Sequence, residues 1–365
     1  MVEPYLYLAD SINPDSDCNP CNPCNNCNSC MKILVTGGTG YIGSHTIVDL
    51  IENGFEVVSA DNYHNSRPSV LDGIEAITGV RVKNYAVDLA DRAATLAMFE
   101  QEQFDGAIHF AAYKLVGESV DKPLEYYRNN TNSLLNVIEG LRSQGSSNLV
   151  FSSSCSVYGN ADELPVTEAT PRKEAESPYA LTKQMGEDMI TDFCKAVPDF
   201  KAVLLRYFNP AGAHSSGKIG EDPSNPATSL VPVITQTAAG KRAGMKVFGT
   251  DYDTRDGSCV RDYIHVQDLA HAHTLALRYV MAGKGAANPS LFNLGIGEGL
   301  TVLEAINAFE KVSGVKLNYE LGPRRAGDVI AVYADRSLAT SELGWEPSRG
   351  VEEIMRTAWE WEKGL

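Results

Sequence analysis

The chain has 365 residues, of which 43% are hydrophobic and 21% are charged, so it can bury a full core and form two packed lobes. Its formal net charge of −16 disfavours nucleic acid and anionic membranes as partners, and no basic cluster offsets that charge locally. No segment approaches the roughly 20 continuous apolar residues of a membrane-spanning helix, and no signal-peptide pattern opens the chain. We therefore expect a globular protein of the cytoplasm.

Residues 1–30 are rich in Asn, Pro and Cys and carry no sustained helix or strand period, which predicts a disordered extension. Thiolates two residues apart can share a metal ion, but no His accompanies them and five thiols is an odd number for one site. We therefore expect no metal site. The three cysteines elsewhere are scattered, which favours a reducing compartment. The clustered cysteines are Cys18, Cys21, Cys24, Cys27 and Cys30.

From Met31 onward, short apolar runs alternate with amphipathic segments, which is typical of a parallel sheet covered by helices on both faces. The predicted fold is therefore α/β, with a doubly wound, Rossmann-like sheet. The predicted strands are Lys32–Val35, Glu56–Ala60, Val82–Val87, Ala107–Phe110, Asn148–Ser152 and Ala202–Tyr207. The predicted helices are Tyr41–Asn53, Ala94–Gln101, Pro123–Leu141 and Pro178–Ala196.

A glycine-rich turn joins the first predicted strand to the first helix. Gly37 and Gly40 permit a tight turn beside a pyrophosphate, and Gly43 permits close packing of helix on strand. Asp61 ends the second strand, 18 residues after Gly43, where a carboxylate accepts both ribose hydroxyls and repels a 2′-phosphate. The sequence therefore predicts an NAD site. Asp88, Leu89, Lys114 and the run Phe110-Ala111-Ala112 follow later strands and face the same crevice.

A second constellation lies on the helix that begins at Pro178. Tyr179 and Lys183 are four residues apart and project from one face of that helix. A nearby ammonium favours the phenolate and can lower the pKa of a Tyr from about 10 towards neutrality, which makes it a general base. Ser152, Ser153 and Ser154 end a strand, where a hydroxyl can reach the ligand crevice.

After Asn209 the alternation gives way to Pro- and Gly-rich loops with short helices, which predicts a smaller mixed α/β lobe. The predicted domains are thus a nucleotide-binding domain over residues 31–208, with residues around 260–270 returning to it, and a second domain over residues 209–365.

Seven stretches together resemble the UDP-galactose 4-epimerase family of the extended short-chain dehydrogenase/reductase superfamily. They are TGGTGYIGS (36–44), Asp61-Asn62, VGESVDKPLEYY (116–127), SSSCSVYG (152–159), Ser177–Lys183, LRYFNP (205–210) and VRDYIH (260–265). The resemblance runs from Met31 almost to the C-terminus and excludes the Cys-rich segment.

The resemblance implies a homodimeric enzyme that inverts C4 of a UDP-hexose through a 4-keto sugar. It implies that Tyr179 is the base, that Lys183 lowers its pKa and holds the nicotinamide ribose, and that Ser154 orients the sugar hydroxyl. Further NAD contacts would fall on Tyr41, Ile42, Asp61, Asn62, Asn65, Asp88, Leu89, Phe110, Ala111, Ala112, Lys114, Asn129 and Phe208. UDP-sugar contacts would fall on Asn209, Leu230, Val247, Phe248, Arg261, Arg325, Asp328 and Val332.

Val332 would lie against the sugar 2-position, where a residue smaller than Tyr leaves room for an N-acetyl group. Two alternatives stay open. The same catalytic residues would serve a 4-epimerase of another UDP-sugar, such as xylose or glucuronate. A non-catalytic NAD-binding sensor would be expected to lose Tyr179 or Lys183, and both are present. Cys155 stands where related dehydratases place an acidic residue, which disfavours dehydration.

Overall fold

A computed structural model describes residues 30–222, 224, 227–324 and 329–365. The strands are β1 (Lys32–Thr36), β2 (Glu56–Ala60), β3 (Lys83–Tyr85), β4 (Gly106–His109), β5 (Asn148–Ser154), β6 (Lys201–Tyr207), β7 (Asn209–Ala211), β8 (Met245–Phe248), β9 (Val260–Arg261), β10 (Tyr263–His265), β11 (Ser290–Leu294), β12 (Leu300–Thr301), β13 (Tyr319–Gly322) and β14 (Ala331–Val332). The helices are α1 (Tyr41–Glu52), α2 (Val70–Thr78), α3 (Arg92–Gln101), α4 (Val116–Asp121), α5 (Pro123–Ser143), α6 (Pro178–Ala196), α7 (Leu230–Ala238), α8 (Val266–Met281), α9 (Val302–Ser313), α10 (Ser337–Leu343) and α11 (Val351–Gly364).

A seven-stranded parallel sheet has the order β11-β6-β5-β4-β1-β2-β3, which confirms the predicted α/β, Rossmann-like fold. Its central strands β1 and β4 are largely buried, as strands of a parallel sheet are when both faces are covered. On β1, Ile33 and Val35 pack against one hydrophobic core with α1 and α8, whereas Leu34 packs against another with α3 and α5. The strand order reverses between β1 and β4, where parallel sheets open a ligand crevice at their carboxyl ends.

Several element boundaries differ from those predicted. β5 continues through Ser154 instead of ending at Ser152, because Ser154 still pairs in register with Tyr207 of β6. α3 begins at Arg92, since the Asp91 side chain caps it by accepting from the Ala94 N–H. The short helices α2 and α4 were not predicted, because nine and six residues hold too little periodic signal.

The part of the chain after β7 contributes both to the large sheet with its helices and to a second, smaller core. α8 and β11 return to the large sheet, where β11 pairs with β6 at the edge. The other segments build a smaller core from α7, α9 and α11, represented by Ile234, Phe309 and Met355. The short pair β8–β13 lies with this core through Met245 and Val247, whereas Val332 of the pair β9–β14 packs in a separate cluster. Both pairs contribute residues to one cleft with the carboxyl ends of the large sheet. Among the helices that the structure describes, none combines the length and apolar character needed to cross a membrane.

Candidate active site

A cleft of about 1210 Å³ runs along the carboxyl ends of the large sheet and under the second lobe. The predicted site residues that the structure describes line this cleft without exception. Arg325 and Asp328, two of the predicted UDP-sugar contacts, lie outside the described residues. The cleft therefore brings together predicted site residues that are up to 295 residues apart, from Gly37 in the glycine turn to Val332 on β14.

At the glycine turn, the backbone passes close both to the first turn of α1 and to the segment that follows β4. A Cβ atom at Gly43 would lie 2.2 Å from the carbonyl oxygen of Gly37, which is closer than any real contact. Gly37 has a φ of +66°, and a Cβ atom added to it would lie 3.0 Å from the backbone nitrogen of Ala111. The turn therefore places the N-terminus of α1 at the cleft, and a helix N-terminus attracts an anion.

Asp61 ties this turn to the loop after β2. Its carboxylate accepts the N–H of Thr39 at 3.2 Å and that of Tyr63 at 2.8 Å, and the Ser66 hydroxyl at 3.2 Å. Asn65 in the same loop has a buried Oδ1 with no hydrogen-bond partner. A buried acceptor of this kind normally finds a partner, so its place in the cleft fits a bound nucleotide.

Tyr179, Lys183 and Ser154 meet at the other side of the cleft. The Ser177 hydroxyl caps α6 by accepting from the Ala180 N–H, which fixes the helix start next to Tyr179. The Lys183 ammonium donates to the Ser152 carbonyl oxygen at 2.6 Å and lies 5.9 Å from the centre of the Tyr179 ring. The Ser152 hydroxyl in turn contacts the Tyr207 hydroxyl.

The electrostatics of this pair differ from the prediction. Burial raises the pKa of Tyr179 to about 12, while its hydrogen bond with Ser154 acts in the opposite direction. Burial also lowers the pKa of Lys183 to about 8, opposed by the charge of Glu187. The expected lowering of the Tyr179 pKa by Lys183 is not seen, because the ammonium is bonded to Ser152 and is itself costly to keep charged in this environment.

The second lobe forms the opposite wall. Val332 on β14 pairs in register with Arg261 on β9, so these two predicted substrate contacts are neighbours. Val332 is buried and packs in one cluster with Val157 and Tyr158, which closely follow the three serines at the end of β5. Leu230 opens α7, and Val247 and Phe248 end β8.

Sequence reasoning missed a segment that also lines the cleft. Residues 218–222 lie across from the glycine turn, held by ion pairs of Lys114 with Glu221 at 3.3 Å and of Arg67 with Asp222 at 2.9 Å. The adjacent acidic residues at 221 and 222 were the only local signal, and an acidic pair is ordinarily a solvated surface feature.

Comparison with known proteins identifies the family. The NAD dependent epimerase/dehydratase family model matches residues 33–295. The chain belongs to this family. The UDP-glucose 4-epimerase of Homo sapiens is 47% identical over 338 residues, which cover 91% of this chain and 96% of the relative. A family member from Bifidobacterium longum, the UDP-glucose 4-epimerase solved in complex with NAD+ and UDP, superposes with a TM-score of 0.87 at 43% identity, covering 92% of this chain and 98% of that one.

A third similar protein is the UDP-Glc/GlcNAc 4-epimerase of Campylobacter jejuni. Its structure superposes with a TM-score of 0.79 at 39% identity, and the match covers 92% of this chain and 100% of that one. The likeness to these two solved structures covers 92% of the chain and so extends beyond residues 33–295, which the family model matches.

The buried ammonium generates a stability prediction. Because the pKa of Lys183 falls from 10.5 to about 8 on folding, the unfolded chain binds more protons than the folded one between these values. The cost to the folded state is on the order of 3 kcal/mol below pH 8 and is lost as the pH rises towards 10.5, whereas the Ser152 hydrogen bond returns about 1 kcal/mol. We expect Lys183→Met to melt at or above the wild-type midpoint at pH 7, with a smaller difference at pH 9.5.

Differential scanning calorimetry at both pH values measures this. Lys195→Met is the matched control, because Lys195 lies on the same helix with its side chain 69% exposed and should change neither midpoint appreciably. A midpoint of Lys183→Met several degrees below wild type at pH 7 would contradict the assignment of a net cost.

Proposed function

We propose that this protein is a UDP-glucose 4-epimerase that interconverts UDP-galactose and UDP-glucose with tightly bound NAD. The observation that carries the proposal is the meeting of Tyr179, Ser154 and Lys183 in one cleft with the glycine turn on one side and Arg261 and Val332 on the other. The dinucleotide fits the cradle at Gly43, the unpartnered Oδ1 of Asn65 and the carboxylate of Asp61. The relatives named above support the choice of substrate.

Each residue has a task in this reaction. Tyr179 removes the proton from the sugar 4-hydroxyl, and Ser154 orients that hydroxyl by hydrogen bonding. When bound, NAD+ supplies the acceptor for the C4 hydride and a positive charge that opposes the effect of burial on the Tyr179 pKa. Arg261 supplies fork-shaped donors for the diphosphate, and the 4-keto sugar turns about its bonds to that diphosphate. The hydride then returns to C4 on the other face of the sugar while Tyr179 returns the proton to O4. The reaction therefore inverts C4 without net redox change.

The alternatives are weaker. A non-catalytic NAD-binding sensor has no use for a buried Tyr179 with Ser154 in hydrogen-bond contact. A 4-epimerase of UDP-xylose or UDP-glucuronate would share this chemistry, and only substrate assays distinguish it. We also propose that the protein works in the cytoplasm, which the reduced thiols of Cys155, Cys194 and Cys259 support.

Tyr179→Phe tests the proposed reaction. The variant keeps the ring and its packing but removes the proton acceptor, so turnover of UDP-galactose should fall by about 10²- to 10⁴-fold with NAD still bound. Turnover is measured by coupled assay of UDP-glucose formation, and bound nucleotide by mass spectrometry after denaturation. Activity close to wild type would show that Tyr179 is not the base.

Val332→Tyr tests the substrate range. Val332 lines the cleft, and its short side chain leaves space next to the sugar 2-position in the proposed binding mode. We expect the wild type to interconvert UDP-N-acetylgalactosamine and UDP-N-acetylglucosamine as well, and we expect Val332→Tyr to lower that activity by about 10-fold or more relative to the plain hexose. The idea fails if the wild type does not act on the N-acetyl sugar, or if the Tyr variant retains that activity in full.

We further propose a homodimer formed through α4, α5 and α6. These three helices contact one another and expose Val120, Leu124, Leu135 and Leu181. Leu124 and Leu135 are eleven residues, or about three turns, apart on the same face of α5. A second copy of the chain would cover this apolar surface, as self-complementary twofold interfaces do.

Light scattering after size exclusion tests the dimer. Leu124→Glu/Leu135→Glu should halve the mass relative to the wild type, because two carboxylates would be buried in the interface without partners. Leu321→Glu is the matched control, since Leu321 is 60% exposed but lies on β13 in the other lobe. A wild-type monomer, or a dimer that survives the double substitution, would disprove this interface.

A further inference from the structure

One face of α6 interacts with the end of β5 through three of its side chains. Tyr179, Lys183 and Glu187 are four residues apart and therefore lie on the same side of the helix. The Ser154 side chain acts on Tyr179 and lowers its pKa, and Lys183 donates to the carbonyl oxygen of Ser152 at 2.6 Å. The third interaction involves Ser153, whose hydroxyl donates to Oε1 of Glu187 at 2.6 Å.

Glu187 is itself held by a buried ion pair. The Arg206 guanidinium donates from Nε to Oε1 at 2.8 Å and from Nη2 to Oε2 at 2.6 Å, and both side chains are about 5% exposed or less. Arg206 lies on β6 directly opposite Ser153 of β5 in the strand register. Its guanidinium also stacks 4.7 Å from the centre of the Tyr158 ring. The pair thus links α6, β5, β6 and the turn that follows the catalytic serines.

This network does not touch the ligand space. Ser152 and Ser154 line the cleft, whereas Ser153, Glu187 and Arg206 do not. Stability is a poor explanation for it, because burying an ion pair costs desolvation that apolar residues of similar volume avoid. Its bidentate geometry instead restricts where the carboxylate, and hence Ser153, can lie.

We propose that Glu187, held by Arg206, is a positioning residue for the epimerase reaction, acting through Ser153 to fix the end of β5 against α6. This inference rests on the function proposed above and deepens it. Ser153 precedes Ser154 and follows Ser152, so its bond to Glu187 sets the distance of both neighbours from Tyr179 and Lys183. A displacement of about 1 Å at such a site costs on the order of 10²-fold in rate.

Three variants test the proposal in the full-length protein with its bound nucleotide. Ser153→Ala removes the link and leaves the ion pair intact. Glu187→Gln/Arg206→Met removes both charges together, so that neither is left buried alone. Asp192→Asn is the matched control, because Asp192 is a carboxylate on the same helix that is 77% exposed and pairs only with Lys195 among the described residues. The measurements are kcat, KM for UDP-galactose, NAD content and the thermal midpoint.

We expect Ser153→Ala and the double variant to lower kcat by about 10- to 100-fold, with KM within about threefold of wild type and NAD retained. Asp192→Asn should match the wild type. A kcat of Ser153→Ala within about twofold of wild type would overturn the proposal, as would a parallel loss of kcat, NAD content and thermal midpoint, which indicates a role in folding alone. Absence of turnover in the wild type would instead reject the proposed function itself.

Discussion

The catalytic geometry depends on the contact between one face of α6 and the last three residues of β5. A helix presents a residue every four positions on one side, and a strand presents its hydroxyls and carbonyls alternately. At this contact Tyr179 lies near Ser154, and Lys183, about one helical turn later, donates to the Ser152 carbonyl oxygen. α6 packs on β5 within one hydrophobic core, through Ile190 and Phe151, and the buried Arg206–Glu187 pair joins α6 to the neighbouring strand β6.

Burial has opposite consequences for binding and for proton transfer. It excludes water and strengthens hydrogen bonds in the cleft, but it raises the pKa of Tyr179 and lowers that of Lys183, so each group is pushed towards its neutral form. A base that is neutral until a positive charge lies beside it is suited to a reaction in which proton and hydride leave the sugar together. In the proposed reaction the protein fixes the position of the Tyr179 hydroxyl, and the bound nucleotide supplies the positive charge that favours its ionisation.

The second lobe completes the site by a different principle. The chain has a net charge of −16, so an anionic diphosphate is held by a few aimed groups and not by a general field. Arg261 and Val332 are adjacent across β9 and β14, so the proposed phosphate donor and the proposed steric wall lie on one small piece of sheet. Charge recognition and size selection are therefore coupled in the same structural unit.

The sequence by itself determined the features whose residues are close together in the chain. The strand-turn-helix with Gly37, Gly40 and Gly43, and the four-residue spacing of Tyr179 and Lys183, are local patterns, because backbone geometry and helix period set them. The family resemblance extended this to single residues of the cleft, all of which line it where the structure describes them.

Only the tertiary structure decided how distant segments combine. The pairing of Ser153 with Glu187 and Arg206, the approach of residues 218–222 to the glycine turn and the return of β11 to the sheet edge all join residues that no local pattern links. The direction of the Tyr179 pKa belongs to the same class. Spacing along a helix indicates which charge is near, but the desolvation that outweighs it depends on everything packed around the ring.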